Sequence, residues 1–506
     1  MKNLVFAAVV AAGMVAVAET APGDAVTQAD LKALYDRITK LESENKAQAK
    51  KIADLEAAKP TAAKPEVDEL ERAYEEGTEV SKSGRVVTTE QGFKYYLADK
   101  AAGIFEPLSE SGLKITPYGY LVFEGIHNTH KTAVDAFTDW VLPRKNGGHN
   151  GDHQTCFTMQ DSILGLQFVT PEAMNGWTFD GKAEFDFAGD HANDSAFHWR
   201  HLYFQAHHDG FDSDGKKNGE WSILFGQTWH LFKMVSPSEF DGAWMENTGH
   251  PYRRSPQIRV TRRWDWDADS FEARVGLVKN GPGMGGDRDY DDNQDTSASA
   301  WALIEAAFIY ERDAAWQRDW VAEDSDLADK RWLVGVAGMY GRDKSHRISD
   351  FDANGDAVYG GQGDEYDTEL VMAALQIPVW HFTLAGQFFA GENLGGVQGG
   401  IGQRVGYYGV GQKGKGVRTV GGFADLSYRF NKKLDFALGY GFDDPNDSDA
   451  ACANGRTFNE RMYVDVFYHI TSNFRLGFEY AHLTTKYYND GDAKDDRIEV
   501  AAFYDF

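Results

Sequence analysis

The sequence lacks long hydrophobic runs after its first residues, and it contains few cysteines. No later segment holds the roughly eighteen uninterrupted apolar residues that a membrane-spanning helix needs, so a helical membrane protein is excluded. Two cysteines among 506 residues exclude a disulfide-dense scaffold and a cysteine-based zinc site of the usual spacing. Proline is scarce at 13 residues, whereas glycine reaches 53 and aromatic residues 13%. That composition suits many twisted strands with aromatic belts.

Positive charge is in deficit, because 78 acidic residues face 51 lysines and arginines, and the net charge is -27. A surface of that sign cannot neutralise phosphates, so nucleic acid is excluded as a partner. The sequence shows no nucleophile–base constellation, and we therefore expect no enzymatic activity. We expect the acidic residues to lie in solvated loops or to hold divalent cations.

The N-terminus has the three zones of a secretory signal peptide. Lys2 supplies the positive start, residues 4–17 form a short apolar core, and Ala16-Val17-Ala18 gives the small-residue cleavage pattern. The apolar core is too short for a stable membrane anchor. We predict that residues 1–18 are a signal peptide and that the chain is exported. The alternative is an ordinary N-terminal helix of a cytosolic protein.

Residues 19–58 are predicted to form a periplasmic α-helical coiled coil. Apolar residues occupy the a and d positions of one heptad frame, namely Leu31, Leu34, Ile38, Leu41, Ile52 and Leu55. A single amphipathic helix with a solvated face is the alternative. Pro60 and Pro65 then end the helix, and residues 59–113 are predicted to be a linker and leading segment.

From residue 115 onward the apolar period changes to two, which is typical of strands with one polar and one apolar face. In one segment, aromatic and small residues alternate with polar ones: Trp177, Phe179, Gly181, Ala183, Phe185 and Phe187 against Thr178, Asp180, Lys182, Glu184 and Asp186. About sixteen such segments follow one another. They lie near 114–127, 155–170, 177–188, 197–208, 219–229, 252–263, 270–280, 297–312, 330–342, 366–377, 379–390, 417–430, 434–442, 459–470, 474–482 and 496–506.

The connectors between these segments alternate in length. Tight turns are predicted at 377–378, 431–433 and 471–473, and long loops at 231–251, 343–365, 391–416 and 443–458. Connector 313–329 breaks the rule, because it falls on the short side and is long. Short turns at one end and long loops at the other are typical of outer-membrane barrels. The sequence thus predicts an all-β fold, in which residues 114–506 form a transmembrane antiparallel up-and-down barrel of about sixteen strands after the coiled coil.

Three short sequence motifs indicate which protein family the chain resembles. Gly226-Gln227-Thr228-Trp229 closes one strand, the string at 254–261 opens the next, and Tyr118-Gly119-Tyr120 lies in the first barrel strand. Together with the coiled coil, they resemble the DcaP-like porins of Gram-negative outer membranes. The resemblance covers mainly 114–127 and 219–263. It implies a trimeric sixteen-stranded barrel in the outer membrane, in contact with its lipid, that admits small, often anionic solutes.

A file of arginines is predicted to line the lumen. On strand 252–263, Ile258 and Val260 alternate with polar residues, and an arginine facing the bilayer midplane costs about 2–4 kcal/mol, so the polar set should face inward. The candidate pore-lining residues are Arg253, Gln257, Arg259, Thr261, Arg263 and Arg274, together with Lys182, Glu184 and Asp186. Free guanidinium groups would form an anion path. Alternatively, the arginines pair with Glu184 and Asp186 and fill the wall.

Loop 231–251 follows the third upward strand and contains Lys233, Glu239 and Asp241. By analogy with other sixteen-stranded porins, we predict that it folds inward and narrows the channel. The alternative is an exposed cap, because long loops usually lie on the surface.

Two further sites are suggested by local patterns. Asp350, Asp352, Asn354 and Asp356 form the first half of an EF-hand-like calcium loop, but Gly361 stands where the closing glutamate belongs. Calcium is the one cofactor suggested, and a solvated acidic turn is the alternative. Histidines such as His198, His201, His207 and His208 are interpreted as wall residues rather than a metal site.

Cys156 and Cys452 both fall at the external end of the predicted barrel. An even number of cysteines in an exported chain favours pairing, so a disulfide between them is a candidate; long loops holding the two thiols apart are the alternative.

The function that these observations favour is an outer-membrane porin for passive diffusion of small hydrophilic solutes with a preference for anions, and the resemblance implies that it is a homotrimer. The alternative is a barrel-anchored structural tether, whose periplasmic coiled coil links the outer membrane to the cell wall or to a partner. No wall-binding motif is visible, and single-channel conductance would distinguish the two.

Overall fold

The computed structural model describes residues 113–137, 139–143, 149–170, 176–189, 197–211, 213–240, 242, 244–280, 302–313, 331–351 and 357–506. The predicted signal peptide 1–18, the coiled coil 19–58 and all but the last residue of the linker 59–113 lie outside these ranges. Among the described residues, no helix is both long and apolar enough to cross a membrane.

Sixteen strands, numbered here in chain order, form one sheet. They are β1 (Lys114–Asn128), β2 (Gln154–Thr158 and Ile163–Val169), β3 (Trp177–Asp186), β4 (His198–Phe211), β5 (Lys217–Trp229), β6 (Arg254–Trp266), β7 (Asp269–Val278), β8 (Leu303–Asp313), β9 (Arg331–Phe351), β10 (Ala357–Val379), β11 (Phe382–Glu392), β12 (Arg418–Asn431), β13 (Leu434–Pro445), β14 (Arg456–His469), β15 (Phe474–Tyr487) and β16 (Ala493–Asp505).

The sheet closes on itself. Each strand pairs antiparallel with the next, and β1 pairs with β16 from Tyr120 opposite Asp505 to Asn128 opposite Arg497. An even number of antiparallel strands brings the start of β1 and the end of β16 to the same end of the barrel. The predicted sixteen-stranded antiparallel barrel is confirmed.

The two faces of the strands differ as the alternation predicted. Side chains exposed on the outer face are mainly apolar and include Phe123, Ile258, Val260, Val275, Leu277, Ile304, Val336, Val371, Phe388, Leu438, Val464, Phe478 and Val500. Their neighbours in sequence point inward and include many buried carboxylates and arginines. Alternation of this kind on a closed sheet places an apolar band against lipid and polar groups in the lumen.

Strand β2 is interrupted, whereas the sequence predicted one strand over 155–170. Its two segments both pair with β1, and residues 159–162 between them leave the ladder. Ser162 compensates for the interruption, because its Oγ accepts a 3.0 Å hydrogen bond from the Val122 amide. The Val122 amide, which has no partner on β2 at the interruption, is thereby hydrogen-bonded.

The hairpin of β9 and β10 is longer than predicted, and most of the predicted loop 343–365 is strand. Apolar alternation is missing there because the outer face carries exposed ion pairs, such as Arg342 Nε to Asp367 Oδ1 at 3.1 Å. The predicted turn at 377–378 is also wrong. Pro378 lies in the ladder opposite Thr383, and the turn consists of Trp380 and His381.

The largest packed core lies inside the barrel. Phe232, Val235, Phe240 and Met245 of loop 230–253 pack with inward residues of β7 to β16 and of β1 and β2. Loop 129–153 adds Val141, whose amide donates a 2.9 Å hydrogen bond to Thr485 Oγ1 on β15. The packed side of the lumen is therefore lined by β7–β16, β1 and β2, and β3–β6 lie across from it.

Candidate functional site in the barrel interior

Loop 230–253 is anchored where it leaves β5. His230 Nδ1 lies 2.5 Å from Glu305 Oε1 on β8, and the Leu231 amide donates a 2.8 Å bond to the other oxygen of the same carboxylate. Glu305 is fully buried. A buried carboxylate that holds both a side chain and a backbone amide fixes the loop firmly against the wall, because leaving the carboxylate unpaired would be costly.

The far part of the loop is anchored by buried charge. Glu239 Oε1 lies 2.5 Å from Arg461 Nε on β14, and Arg461 also binds Glu479 on β15 at 2.5 Å. All three side chains are almost completely buried. Phe240 adds an apolar contact, since its ring packs edge-on against Phe467 and Phe503. The loop therefore crosses the lumen and docks on the opposite wall.

The return part of the loop has an unusual backbone. Trp244, Met245 and Asn247 adopt positive φ angles of 43°, 57° and 55°, a conformation that L-residues adopt at some cost. His250 holds this turn, because its Nδ1 lies 2.7 Å from the Trp244 carbonyl. Burial lowers the pKa of His250 to about 3, so its ring is neutral at physiological pH.

A charged cluster lines the facing wall on β3 and β4. Arg200 donates to Glu184 Oε1 at 2.8 Å and to Asp186 Oδ2 at 2.7 Å. Lys182 Nζ lies 2.9 Å from Glu184, and His198 Nδ1 lies 2.9 Å from Asp186. The carboxylates that were predicted to line the lumen are thus present there, but each is already matched by cations of the same wall.

Arg200 reaches this cluster through a β-bulge. In the β3–β4 ladder, Glu184 is opposite His201 and Phe185 is opposite Trp199, so Arg200 is the extra residue. Bulges re-aim side chains, and here both Arg200 and His201 are buried on the inner side. Strict alternation assigns neighbouring residues to opposite faces, so the sequence pattern did not identify Arg200.

An aromatic cluster bridges the wall and the loop. Trp229, Trp244 and Tyr252 pack together. Lys233 Nζ lies 4.3 Å from the Trp229 ring centroid, and Arg254 Cζ lies 4.2 Å from the same ring. Cations held on aromatic faces keep their charge while their position is fixed.

The same contact type joins the two sides of the lumen, since Arg200 Cζ lies 5.5 Å from the Trp244 ring centroid. Lys233, a predicted constriction residue, therefore lies inside the barrel. Glu239, the second, also lies inside but is turned into the wall. Asp241 lies outside the described residues.

The predicted arginine file on β6 and β7 divides into paired and unpaired members. Arg263 contacts Asp265 at 2.8 Å and Glu311 at 3.2 Å, and Arg274 is bonded to Glu272. None of these partners is Glu184 or Asp186, the carboxylates that the paired alternative proposed. Both arginines are neutralised by acidic residues on their own or neighbouring strands.

Arg259 is the exception in this file. It alternates with the exposed Ile258 and Val260, which places it on the inner face. Within the described part of the chain, it makes no hydrogen bond and no ion pair closer than 4.0 Å. Its neighbour across the ladder on β7 is Gly276, which presents no side chain. Arg259 is thus an inward-facing guanidinium with unused donors.

The other candidate pore-lining residues have different surroundings. Gln257 is buried and donates to the Thr228 and Trp229 carbonyls at 3.0 and 2.9 Å, so it holds the wall together. Arg253 donates to the Gly396 carbonyl at 2.9 Å. Thr261 is half-buried on the inner face, opposite Ser222 and Arg274.

The structure shows no disulfide between Cys156 and Cys452. Cys156 lies in β2, with its Sγ 3.7 Å from the Asp135 carbonyl, and Cys452 precedes β14. Four strand spacings separate β2 from β14 through β1, β16 and β15, or about 19 Å along the wall. A disulfide requires Cα atoms within roughly 7 Å.

The calcium prediction is not tested. Asp350 lies opposite Val358, one residue before the end of the β9 ladder, and Asp352, Asn354 and Asp356 lie outside the described residues. Among the histidines of β4, His207 contacts Asp180 at 2.6 Å and Glu220 at 2.8 Å. That carboxylate pairing is consistent with a wall residue.

Comparison with solved structures shows which known folds this barrel is similar to. No protein-family model and no curated protein matches the sequence. The outer membrane channel DcaP of Acinetobacter baumannii is similar with a TM-score of 0.58 and 18% identity, and the match covers 78% of this chain and 97% of that one.

Two other solved structures match with TM-scores below 0.5. OprB of Pseudomonas putida has 12% identity, coverage of 80% and 97%, and a TM-score of 0.46. OmpF of Salmonella typhi, in complex with daunomycin, has 16% identity, coverage of 78% and 99%, and a TM-score of 0.45. The resemblance that the strings at 118–120, 226–229 and 254–261 suggested is confirmed for the fold: the described chain is a sixteen-stranded barrel like that of the DcaP channel.

Proposed function

We propose that the chain is an outer-membrane porin through which small hydrophilic solutes diffuse passively. One observation carries the proposal: a closed barrel has an apolar outer face, a charged inner face and a loop docked across its interior. An apolar exterior on a closed sheet suits a bilayer. A loop narrows the lumen, and polar side chains still line the inner wall beside it. This arrangement suits selective diffusion rather than a structural tether.

The charges inside the barrel support a preference for anions. The loop carboxylate Glu239 is buried against Arg461, whereas Lys233 is held on an aromatic face. Glu184 and Asp186 are matched by Arg200 and Lys182. Arg259 keeps its donors unused by described residues, and guanidinium groups bind carboxylates and phosphates well. The net charge of -27 does not oppose an anion path, since selectivity is set by groups near the constriction.

Location and assembly follow from the same reasoning. The solved neighbour DcaP is an outer membrane channel, and one OmpT structure of Vibrio cholerae is described as a trimer form. A trimeric assembly in the outer membrane, with outer-membrane lipid around it and the N-terminal segment in the periplasm, is the arrangement we propose. The tether alternative depends on residues 19–58, which the structure does not describe.

Planar bilayers provide the experiment. The purified chain should give discrete single-channel steps, and a salt gradient should give a reversal potential on the anion-selective side. Arg259→Met should shift that potential toward cations, because it removes an unneutralised inward charge. Arg342→Met is the matched control, since Arg342 lies on the outer face beside Asp367, and it should leave the potential unchanged.

Two outcomes would count against the proposal. A chain that inserts but conducts no current would contradict the porin function. A reversal potential that Arg259→Met leaves unchanged would contradict the anion path while leaving passive diffusion intact.

A further inference from the structure

We infer that His127 and His153 form a binding site for a tetrahedral divalent metal of the Zn²⁺ class at the loop end of the barrel. His127 lies at the end of β1, and His153 immediately precedes β2. The ladder between these strands sets Thr155 directly opposite His127. The two histidines thus lie at the two ends of loop 129–153, outside the lumen described above.

The spacing of the ring nitrogens suits zinc. His153 Nδ1 lies 3.4 Å from His127 Nε2. Two nitrogen ligands, each about 2.05 Å from a tetrahedral zinc ion, lie about 3.3 Å apart. Adjacent corners of a square-planar site would be about 2.9 Å apart for the same bond length. The observed spacing therefore favours a tetrahedral ion.

A neighbouring hydroxyl orients the first ligand. Thr155 Oγ1 lies 2.8 Å from His127 Nδ1. When Nδ1–H donates to this oxygen, Nε2 carries the lone pair and points toward His153. A metal-binding histidine usually donates its other nitrogen in this way, which fixes its tautomer and ring orientation. The competing arrangement is a hydrogen bond between the two rings, in which no metal takes part.

The pair is open to solvent, since His153 and Thr155 are exposed and His127 is half-exposed. Over the described ranges, no group of three or more histidine, cysteine, aspartate or glutamate side chains is arranged to hold a metal. The two histidines would thus supply two of the four positions of a tetrahedral ion. Binding would add a link between the two histidines beside the end of the β1–β2 ladder.

Zinc titration of the full chain, purified without a histidine tag, tests the inference. Calorimetry should show one Zn²⁺ bound per chain, and His127→Gln and His153→Gln should each weaken that binding at least tenfold. Thr155→Val should weaken it about tenfold, as loss of a partner that orients a metal ligand does. His208→Gln is the matched control, because that half-buried histidine packs on Trp177 away from the pair, and it should bind zinc normally.

Co²⁺ in place of Zn²⁺ provides a spectroscopic check, since a tetrahedral site gives intense visible absorption. Loss of this absorption in both single variants, with heat-modifiable barrels retained, would support the site. Zinc affinity that is the same in the parent, His127→Gln and His153→Gln would overturn it. A weak octahedral cobalt spectrum in the parent would overturn the tetrahedral assignment.

Discussion

Glu246 lies on the return part of loop 230–253, partly buried beside Tyr252, whose hydroxyl donates to Glu246 Oε2 at 3.0 Å. Burial and the nearby Asp139 carboxylate hold the pKa of Glu246 well above its usual value. A carboxyl with a raised pKa is more readily protonated in the folded protein than in the unfolded chain. Its ionisation therefore opposes folding.

We predict that Glu246→Gln stabilises the barrel at neutral pH. The folded-state pKa is raised, so the parent loses stability as pH rises from near 4.5, the ordinary value, through the raised pKa. Glutamine keeps an acceptor for Tyr252 and has no charge to bury. Thermal unfolding should show a higher midpoint for the variant at neutral pH and a difference that shrinks near pH 4.5. Glu365→Gln, on the exposed outer face, is the matched control and should leave the unfolding midpoint close to that of the parent at neutral pH.

The arginines of β6 show what the sequence can predict for single residues. Alternation with Ile258 and Val260 predicts that Arg259 faces inward, and both apolar neighbours are exposed on the outer face. It could not show that Arg263 would be neutralised, because Glu311 comes from another strand and the contact depends on the register of the sheet. Arg200 was missed because a one-residue bulge reverses the alternation.

Loop 230–253 is the element that shapes the lumen. Phe240 fixes its far part, since the ring packs against Phe467 and Phe503, and a Cβ at Gly477 would come within 3.2 Å of that ring. The absence of a side chain at Gly477 makes room for the ring. The docked position of the loop thus depends on complementary shapes on two sequence-distant elements.

We predict that Phe240→Ala loosens the loop. Removing a buried phenylalanine costs about 3–5 kcal/mol, and the packing of the loop against Phe467 and Phe503 would be lost. Single-channel recordings should show a larger or noisier conductance, and the barrel should unfold at a lower temperature. Phe478→Ala, which truncates an outward ring on β15 that is 45% exposed, should leave conductance unchanged. An unaltered conductance in Phe240→Ala would show that this ring does not hold the constriction.

Elements were predictable where one face is apolar and the other polar. The segments 434–442 and 474–482 appear as the cores of β13 and β15, which extend to Pro445 and Tyr487. The outer part of the β9–β10 hairpin was not predictable, because polar side chains on its outer face remove the apolar period on which the prediction relied. The docking of loop 230–253 was proposed by analogy, since its polar anchors leave no pattern in the sequence.

At the scale of the whole molecule, assembly is expected to depend on the predicted coiled coil at 19–58. A single helix with apolar residues at its a and d positions exposes those residues to water. Packing of three such helices, one from each chain, would bury them and favour a trimer. Deleting residues 26–58 should weaken the oligomer or slow its formation, while the barrel that begins at β1 still folds. Native gels before and after heating measure this. A deletion variant as trimeric and as heat-resistant as the parent would show that the predicted coiled coil does not drive assembly.

The seam between β1 and β16 sets a condition on folding. Tyr120 pairs with Asp505, so the second edge of β1 has no partner until the final strand is available. Until then, an amphipathic sheet carries two open edges, which are templates for aggregation. Pairing between such distant parts of a chain is slow. Folding of this chain therefore requires that its earliest barrel strand be kept from other chains throughout synthesis and export, and a weakened β16 would reduce yield before it reduced conductance.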